Sequence, residues 1–291
     1  MTPPWQHYKD QFDSLITFIG DNLDQTFTLE QLSTRAAVSP FHFHRLFSAY
    51  TGIPVMQFLT QMKLRRAAYQ LKFTMDDILT IALDAGYETP EGFSRAFKKM
   101  TGDSPRAYRS NQTPLPDLNT HYHRNRHKHM NYTVDIIKTA ALNIAIKEHK
   151  GAEQLIPLTI KSFIKWRREN KLSPERSRTF NIYYQDPKSC PPDEYRMDIA
   201  CEIPTGIKIN EKSMRDHSIQ RAEIPALTCA KLRHKGPWDH LEAPIRYLYN
   251  QWIADNNIEL DDYPLFVERV NLYPEVADHQ LITDIYLPIK A

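Results

Sequence analysis

The strongest constraint on the fold is a segment that occurs twice, fifty residues apart. Residues 39–52 align with residues 89–102, and six of the fourteen aligned positions are identical, among them a proline, two phenylalanines and an arginine. Each copy follows a short helical pattern and a tight turn, and a Ser-Pro or Thr-Pro pair begins the second helix. Short helix, turn and second helix form a helix-turn-helix unit, whose second helix enters the major groove of DNA.

Basic residues concentrate on the repeated segments. The whole chain carries a formal charge of only +2, from 37 Lys plus Arg against 35 Asp plus Glu. Residues 39–72, however, hold five basic residues and no acid, and residues 92–110 hold five basic residues against one acid. A local excess of this kind is typical of a surface that faces phosphate. The pattern therefore predicts double-stranded DNA as a partner of this region.

The composition argues against several other classes of function. Only eight glycines occur, and no two are closer than six residues, which excludes the glycine-rich nucleotide loops and the G-x-S-x-G nucleophile turn. Three scattered cysteines provide neither a disulfide framework nor a metal motif. We therefore predict no metal, no cofactor and no catalytic residue. No apolar run approaches 18 residues and the start lacks a signal peptide's apolar centre, so a cytoplasmic protein without membrane contact is expected.

Three regions of the chain differ in hydrophobic period. Residues 1–110 follow the helical period, residues 111–131 show none, and residues 132–291 alternate short β-branched runs with two helical patterns. The sequence thus predicts a multidomain protein, in which an all-α tandem helix-turn-helix domain and a linker precede an α+β domain. His-Lys-Gly occurs at 149–151 and again at 234–236, each time between a strand pattern and a helix. The α+β domain is therefore predicted to contain two β-α-β-β repeats.

The first region resembles the tandem helix-turn-helix domain of the AraC/XylS family of transcription regulators. The resemblance covers roughly residues 8–110 and is carried by Ile81–Tyr87, Phe93–Lys99, Gly102 and Ser104–Arg109. It implies that outward residues of both recognition helices contact DNA. The predicted DNA-binding residues are Phe41, His42, His44 and Arg45 on the first helix, and Glu91, Gly92, Arg95, Lys98 and Lys99 on the second.

The chemistry of these residues suits base and phosphate recognition. Arg can bind guanine through two hydrogen bonds, His can bond to base edges, and Phe can pack on a thymine methyl group. Glu91 could accept from cytosine, and Gly92 favours docking through the backbone and DNA shape. For Arg45 and Arg95 the alternative is a salt bridge within the domain, and for Lys98 and Lys99 it is plain solvation.

The last region resembles the GyrI-like effector-binding domain over roughly residues 132–291. The matching pieces are His234–Trp238, Phe266–Arg269 and Asp284–Pro288. Glu268 stands in a strand pattern that otherwise indicates burial, where an unpaired carboxylate is costly unless a cation meets it. The resemblance implies that this glutamate recognises a cationic or amine-bearing ligand. The aromatic residues predicted to surround it are Tyr183, Tyr184, Trp238, Tyr247, Trp252 and Phe266.

Together these features predict a sequence-specific transcription regulator controlled by a small cationic or amphipathic effector. Two alternatives stay open. One is a GyrI-like hydrolase of electrophilic molecules that uses Glu268 with Tyr183, and the other is a ligand-independent regulator whose second domain binds a protein such as RNA polymerase. Glu268 itself could instead face solvent on an edge strand or pair with Arg269 or Arg246. No coiled-coil pattern is present, so a monomer is expected.

Overall fold

The computed structural model describes residues 4–111, 113, 115–116, 132–187, 190–272 and 276–290. The predicted linker at 111–131 lies almost entirely outside the described residues. The chain forms two compact units, of which the first holds Met1–His7, Val38–Leu46 and His127–Ala291, and the second holds Tyr8–Ala37 and Phe47–Arg126. The segment Val38–Leu46, at the start of the first recognition helix, therefore groups with the C-terminal region. The domain boundaries at 110 and 131 stay predictions.

The prediction of an all-α N-terminal region is confirmed. Its helices in the described part of the chain are α1 (Pro4–Asp21), α2 (Leu29–Arg35), α3 (Pro40–Thr51), α4 (Val55–Phe73), α5 (Ile78–Asp84), α6 (Pro90–Thr101) and α7 (Pro105–Ser110). Helix α1 buries Tyr8, Phe12, Leu15 and Ile19 on one stripe, at the spacing that an amphipathic helix requires. No helix among the described residues is both long and apolar enough to cross a membrane.

Matching turns and caps support the internal duplication. Helices α2 and α3 form one helix-turn-helix unit and α5 and α6 the other, with left-handed backbone in the turn at Ala37 (φ 50°) and Gly86 (φ 83°). At the end of each second helix a threonine hydroxyl lies within hydrogen-bond distance of two carbonyl oxygens. Thr51 reaches those of Phe47 and Ile53, both at 2.8 Å, and the corresponding threonine of the second copy reaches the equivalent carbonyls at 2.9 and 3.1 Å. The two copies therefore share local structure as well as sequence.

The C-terminal region is built on one antiparallel eight-stranded sheet, as expected for an α+β domain. Its strands are β1 (Val134–Thr139), β2 (Leu142–Lys150), β3 (Thr179–Tyr183), β4 (Arg196–Glu202), β5 (Gln220–Ile224), β6 (Leu227–Lys235), β7 (Phe266–Arg269) and β8 (Ile282–Ile289). The helices of this region are α8 (Ile156–Glu169), α9 (Glu211–Asp216), α10 (Glu242–Tyr247) and α11 (Ile253–Asn256). A π-helical turn at Leu248–Trp252 joins α10 to α11.

The strand order is symmetric about the centre of the sheet. It runs β1-β6-β8-β7-β3-β4-β2-β5, so the repeat β2-α8-β3-β4 and the repeat β6-α10-β7-β8 meet at the β3–β7 pair. Strand β1, which precedes the first repeat, pairs with β6 of the second, and β5, which precedes the second, pairs with β2 of the first. Each repeat thus covers the outer edge of the other one.

The two faces of the sheet have different surroundings. On one, the helix face, Phe163 and Trp166 of α8 pack on Met197 and Ile199 of β4. The other is named here the Glu268 face. It carries a second cluster of buried side chains, composed of Ile144, Ile146, Phe180, Ile182, Ala200, Ile224, Leu227, Cys229, Phe266 and Tyr286. Because directly opposed residues of paired strands point to the same face, the strand register assigns every other strand residue to one of the two.

Candidate nucleic-acid and effector sites

Helix α6 presents the predicted DNA-binding residues of the second copy to solvent. The Thr89 hydroxyl oxygen accepts from the Gly92 N–H at 3.2 Å and caps the helix, while Pro90 occupies its first turn. Phe93 and Phe97 are fully buried, so the opposite stripe faces outward. On that stripe the exposed residues are Glu91, Arg95, Lys98 and Lys99. This helix therefore has the free, mainly basic surface that groove binding needs.

Helix α3 carries the corresponding residues of the first copy in a different environment. Phe43 and Leu46 are buried as the inward stripe predicts, but His42 and His44 are only 1% and 2% exposed. The predicted outward placement is therefore wrong for these two histidines in this arrangement, while their contact with DNA stays a prediction. The physical reason is that the polar stripe of α3 packs against C-terminal residues of the same compact unit.

His42 is held through both ring nitrogens. Its Nε2 lies 2.9 Å from the carbonyl oxygen of Asp261 and 3.1 Å from that of Tyr263, and its Nδ1 lies 2.7 Å from the Tyr249 hydroxyl. Since carbonyl oxygens only accept, Nε2 carries the proton and Nδ1 accepts from the tyrosine. Burial, with a further contribution from the Arg45 charge, lowers the pKa of His42 to about 4. The ring is therefore neutral at physiological pH.

The neighbours of His42 contact the same region. The ring of Phe41 meets that of Tyr184 edge-on at 5.6 Å, and the Arg45 guanidinium lies 5.7 Å from the ring centre of Tyr249. Burial lowers the pKa of His44 to about 4 as well. Both ring nitrogens of His44, and Nη1 of Arg45, are buried without a hydrogen-bond partner among the described residues. Some polar side chains of the first recognition helix are thus hydrogen-bonded in this position, and others are buried without such bonds.

The salt-bridge alternative for the two repeated arginines finds no support. Neither Arg45 nor Arg95 lies within 4.0 Å of a carboxylate of the described residues. Arg66 differs, because its guanidinium bonds to the carboxylate of Asp24 and to the carbonyl oxygen of Asp84. Arg66 therefore has a structural role within the second compact unit, whereas Arg95 stays available for a ligand.

Glu268 lies on strand β7 among aromatic side chains. The register places it between Phe180 on β3 and Asp284 on β8, with Phe266 two residues before it on the same face. The Tyr286 hydroxyl donates to its carboxylate at 3.0 Å, and the rings of Tyr286 and Phe266 stack at 4.9 Å. Burial and the Glu268 charge raise the pKa of Tyr286, so its hydroxyl keeps the proton that it donates. The carboxylate is half-buried on a floor of three rings.

No Lys or Arg of the described part of the chain lies within 4.0 Å of the Glu268 carboxylate, although the charges of Arg178 and Arg233 act on it from farther away. Arg269 points to the helix face, where it bonds to Asn181 and Thr283, and Arg246 lies 3.9 Å from Glu242. The pairing with Arg269 or Arg246 that the sequence left open is therefore wrong. A partly buried carboxylate with no cation in direct contact is suited to accept one from a ligand.

The predicted aromatic residues do not gather around Glu268 as a set. Phe266 and Tyr184 share its face, whereas Tyr183 faces the other side, where its hydroxyl accepts from Arg269 at 3.4 Å. The prediction that Trp238 lies beside Glu268 is also wrong, because its ring packs against that same Arg269 at 5.9 Å. The remaining two lie on the helical segment that follows β6: the ring of Tyr247 contacts Tyr132, and Trp252 is buried in the π-helical turn.

Sequence reasoning missed an ion cluster next to Glu268. Arg233 of β6 holds Asp284 with two hydrogen bonds of 2.6 and 2.7 Å, and Lys231 holds it at 2.8 Å. Burial alone would raise the pKa of Asp284, but these two cations lower it. Lys231 and Arg233 also line a cavity of about 470 Å³ beside strand β1. Period-two alternation places Asp284 and Tyr286 on one face, but only the pairing of β7 with β8 brings them to Glu268.

The first repeat carries a related carboxylate. Asp198 of β4 occupies the position that Asp284 occupies in β8, opposite the middle strand of its own repeat. It accepts from the Tyr184 hydroxyl at 2.7 Å, and burial raises its pKa. Its Oδ1 is buried without a hydrogen-bond partner among the described residues. The duplication has therefore kept an acid at both positions but has surrounded only Asp284 with two close cations.

Comparison with known proteins agrees with both halves of this description. Residues 132–290 match the model of the GyrI-like small molecule binding domain, and residues 32–111 match a helix-turn-helix domain. The probable transcriptional regulator YgiV of Escherichia coli K12 is 26% identical over 157 residues, which are 54% of this chain and 95% of that protein. The transposon Tn10 TetD protein of Escherichia coli is 30% identical over 107 residues, covering 37% of this chain and 78% of that protein.

Solved structures are also similar to this chain. A cryo-EM structure of an EcmrR–DNA complex aligns with 90% of this chain and 98% of its own, at 18% identity and a TM-score of 0.45. The family model covers more than half of the chain and coincides with the sheet that carries Glu268. The chain therefore belongs to the GyrI-like family, and it is an AraC-type DNA-binding transcription regulator with a C-terminal GyrI-like domain.

Proposed function

We propose that this regulator binds a small cationic, amphipathic effector on the Glu268 face and that effector binding alters transcription. The observation that carries the proposal is the Glu268 carboxylate, which is half-buried beside the rings of Phe180, Phe266 and Tyr286 and forms no ion pair within 4.0 Å among the described residues. Aromatic faces attract cations through their quadrupole, and a carboxylate in such surroundings adds a charge-assisted bond. An aromatic or alkyl ammonium ion combines the two features that this floor recognises.

The neighbouring ions restrict the effector further. Lys231 and Arg233 stand one strand beyond Asp284 on the same face, and the cavity that they line opens beside β1. Arg233 uses Nε and Nη2 for Asp284, so its Nη1 is available for a ligand acceptor. Adjacent strands lie about 4.8 Å apart, so the backbones at Glu268 and Arg233, two strands apart, are separated by roughly 10 Å across the sheet. An ammonium group with an acceptor about that far away fits this spacing.

On the DNA side, the two recognition helices are proposed to contact one duplex. The contacting residues are Phe41, His42, His44 and Arg45 from α3, and Glu91, Gly92, Arg95, Lys98 and Lys99 from α6. The exposure of Arg95, Lys98 and Lys99 supports this role for α6. RNA polymerase is a further proposed partner, and a monomer is the proposed state of the protein in solution.

Sensing is proposed in preference to catalysis. The hydrolase alternative requires Glu268 together with Tyr183, but these residues point to opposite faces of the sheet. Tyr286 is the tyrosine beside Glu268, and its raised pKa makes it a donor rather than a base or nucleophile. This arrangement favours holding a ligand over attacking one.

A charge-matched pair of ligands tests the effector proposal. Benzyltrimethylammonium and its neutral carbon isostere, neopentylbenzene, would be titrated against the protein and against Glu268→Gln by calorimetry. The wild type should prefer the cation, and Glu268→Gln should weaken cation binding by about tenfold to a hundredfold while the neutral compound changes little. The ligand should be recovered unchanged, because no turnover is expected.

The control is Glu211→Gln, which alters an exposed glutamate paired with Arg221 at a distance from the Glu268 face. It should bind both compounds as the wild type does. Equal loss of cation and isostere in Glu268→Gln would contradict a charge-recognising role for this residue. If neither benzyltrimethylammonium nor larger aryl ammonium ions bind to the wild type, the effector proposal is contradicted and a regulator without a ligand is favoured.

A further inference from the structure

The contacts of His42 have the composition of a binding site. Three polar groups, the hydroxyl of Tyr249 and the carbonyl oxygens of Asp261 and Tyr263, converge on one imidazole ring that is 1% exposed. The carbonyls require the proton on Nε2 and the hydroxyl requires a lone pair on Nδ1. A neutral histidine satisfies all three at once, whereas a protonated one keeps the third bond only if the hydroxyl turns to accept from Nδ1–H.

Contacts on either side of His42 extend this site along the helix. The Phe41 ring packs edge-on against Tyr184, the Arg45 guanidinium approaches the ring of Tyr249, and the Ser39 hydroxyl lies 3.5 Å from the carbonyl oxygen of Asp262. These partners lie just after β3, in the π-helical turn and in the segment before β7, so separate parts of the GyrI-like fold converge on two turns of α3. The clustering of Val38–Leu46 with this region reflects the same contacts.

The same two turns also contain polar groups that this site does not satisfy. Both ring nitrogens of His44 and Nη1 of Arg45 are buried with no hydrogen-bond partner among the described residues. Buried polar groups are satisfied in the great majority of stable arrangements, so such groups call for an explanation. Donors and acceptors at these positions would find partners on base edges or phosphates. The arrangement in which α3 packs against the C-terminal residues therefore satisfies these groups less well than an arrangement in which His44 and Arg45 contact DNA.

We propose that Tyr249, Asp261 and Tyr263 form an intramolecular docking site for the N-terminal half of helix α3, and that a docked helix cannot contact DNA. The inference rests on the proposed role of α3 in DNA binding. Phe41, His42, His44 and Arg45 cannot lie against this site and in a major groove at the same time. Apparent DNA affinity is then the intrinsic affinity reduced by the fraction of molecules whose helix is undocked.

The variant Tyr249→Phe tests the site by removing one hydroxyl while keeping the ring. Nδ1 of His42 would then lose its donor in the docked state only, so the undocked fraction should rise about tenfold. Carbethoxylation of His42 by diethyl pyrocarbonate, quantified by mass spectrometry, reports undocking without DNA. His7 is exposed and serves as the internal reference in the same sample. His42 should react slowly in the wild type and about tenfold faster in Tyr249→Phe.

DNA affinity provides the second measurement. The probe is the tightest duplex that the full chain recovers from a random-sequence pool, measured by fluorescence anisotropy. Tyr249→Phe should bind it about tenfold more tightly with unchanged sequence preference. The matched control is Tyr247→Phe, which removes the hydroxyl of a tyrosine of the same helical segment whose ring contacts Tyr132, and it should behave as the wild type in both measurements.

Each contrary outcome identifies what has failed. Equal reactivity of His42 and His7 in the wild type would overturn the docking site itself. Faster modification of His42 in Tyr249→Phe without tighter DNA binding would overturn the competition while leaving DNA binding intact. Recovery of no duplex by any of the three proteins would overturn the DNA-binding role, and the inference with it. If Tyr249→Phe fails to fold, Phe41→Ala removes the ring contact with Tyr184 and should accelerate modification of His42 in the same way.

Discussion

The two helix-turn-helix copies have nearly the same internal structure and opposite surroundings. In the second copy, the outward residues of α6 are exposed, and Phe93 and Phe97 form the buried stripe. In the first copy, Phe43 and Phe47 form the same buried stripe, but the opposite side of α3 is also covered. The comparison shows that duplication preserved the packing of each unit while the polar face of one helix acquired a second partner.

This difference separates two kinds of constraint on a recognition helix. The inward stripe has to fit its own small core, and that requirement is the same in both copies. Under the proposed function the outward stripe has to suit DNA, and in α3 it also has to suit the His42 docking site of Tyr249, Asp261 and Tyr263. A single stripe that serves two partners is expected to satisfy neither completely, which agrees with the His44 ring nitrogens that have no hydrogen-bond partner in the described part of the chain.

The largest expected effect is on the free energy of unfolding, and it tests whether the buried stripes of the two copies are equivalent. Phe47 and Phe97 occupy the same repeat position and are both fully buried. Replacing either by Ala should lower the free energy of unfolding of the helical region by about 3–5 kcal/mol, through lost burial and a cavity. Urea titration followed by circular dichroism measures this. A loss below about 1 kcal/mol at one position alone would contradict the structural equivalence of the copies.

The next largest effect is on DNA binding and concerns the two arginines at equivalent positions on the outward faces of α3 and α6. Arg95→Ala should weaken specific DNA binding by about 1–3 kcal/mol and relax one position of the site. Arg45→Ala should relax a different position with a smaller net loss, because it also removes the contact with Tyr249 that favours docking, worth about 0.5–1 kcal/mol. Binding to a library of single-base variants separates the two effects. Unchanged discrimination between sites would refute base reading by the arginine concerned.

The smallest effect is a pH dependence that only the first copy should show. Docked His42 has a pKa of about 4 against an ordinary 6.5, because burial and Arg45 outweigh the opposing Asp261 and the two carbonyls. A lowered histidine pKa favours docking fully above pH 6.5 and loses that support as the pH falls towards 4. His42 alone should therefore raise the undocked fraction about tenfold at pH 5.5. His44, whose pKa is also about 4 beside Arg45 and Asp186, should add to this.

The ratio of His42 to His7 modification at pH 7.5 and pH 5.5 measures that shift. In Tyr249→Phe the ratio should begin higher and change less. A ratio that stays constant with pH in the wild type would contradict a neutral, docked His42. It would leave the equivalence of the second copy untouched.

Much of the fold follows from local patterns in the sequence. The fifty-residue repeat predicts both helix-turn-helix units, and the β-branched runs predict the strands, because helix and strand periods are set by neighbouring residues. The exchange of β1 and β5 between repeats could not be predicted in this way. It depends on pairing between residues far apart in the chain, for which no local signal exists.

The candidate sites were predictable in part. The resemblance and the strand pattern point to Glu268, and strand alternation alone shows that Tyr183 and Tyr184 cannot face the same side. Tyr286 and Asp284 required the register of β7 against β8. The burial of His42 could not be foreseen, because hydrophobic periodicity reports only the most apolar stripe of a helix. A second contact made through polar groups leaves no such pattern.

The exchanged edge strands have a consequence for how this protein is made. Strand β1 emerges from the ribosome nearly a hundred residues before β6, its partner. Until then its backbone donors and acceptors have no strand to bond with, and the nascent first repeat presents an open edge. Native pairing of this outermost strand therefore waits for synthesis of the second repeat, and a ribosome that stalls between the repeats would leave an aggregation-prone fragment rather than half of a folded sheet.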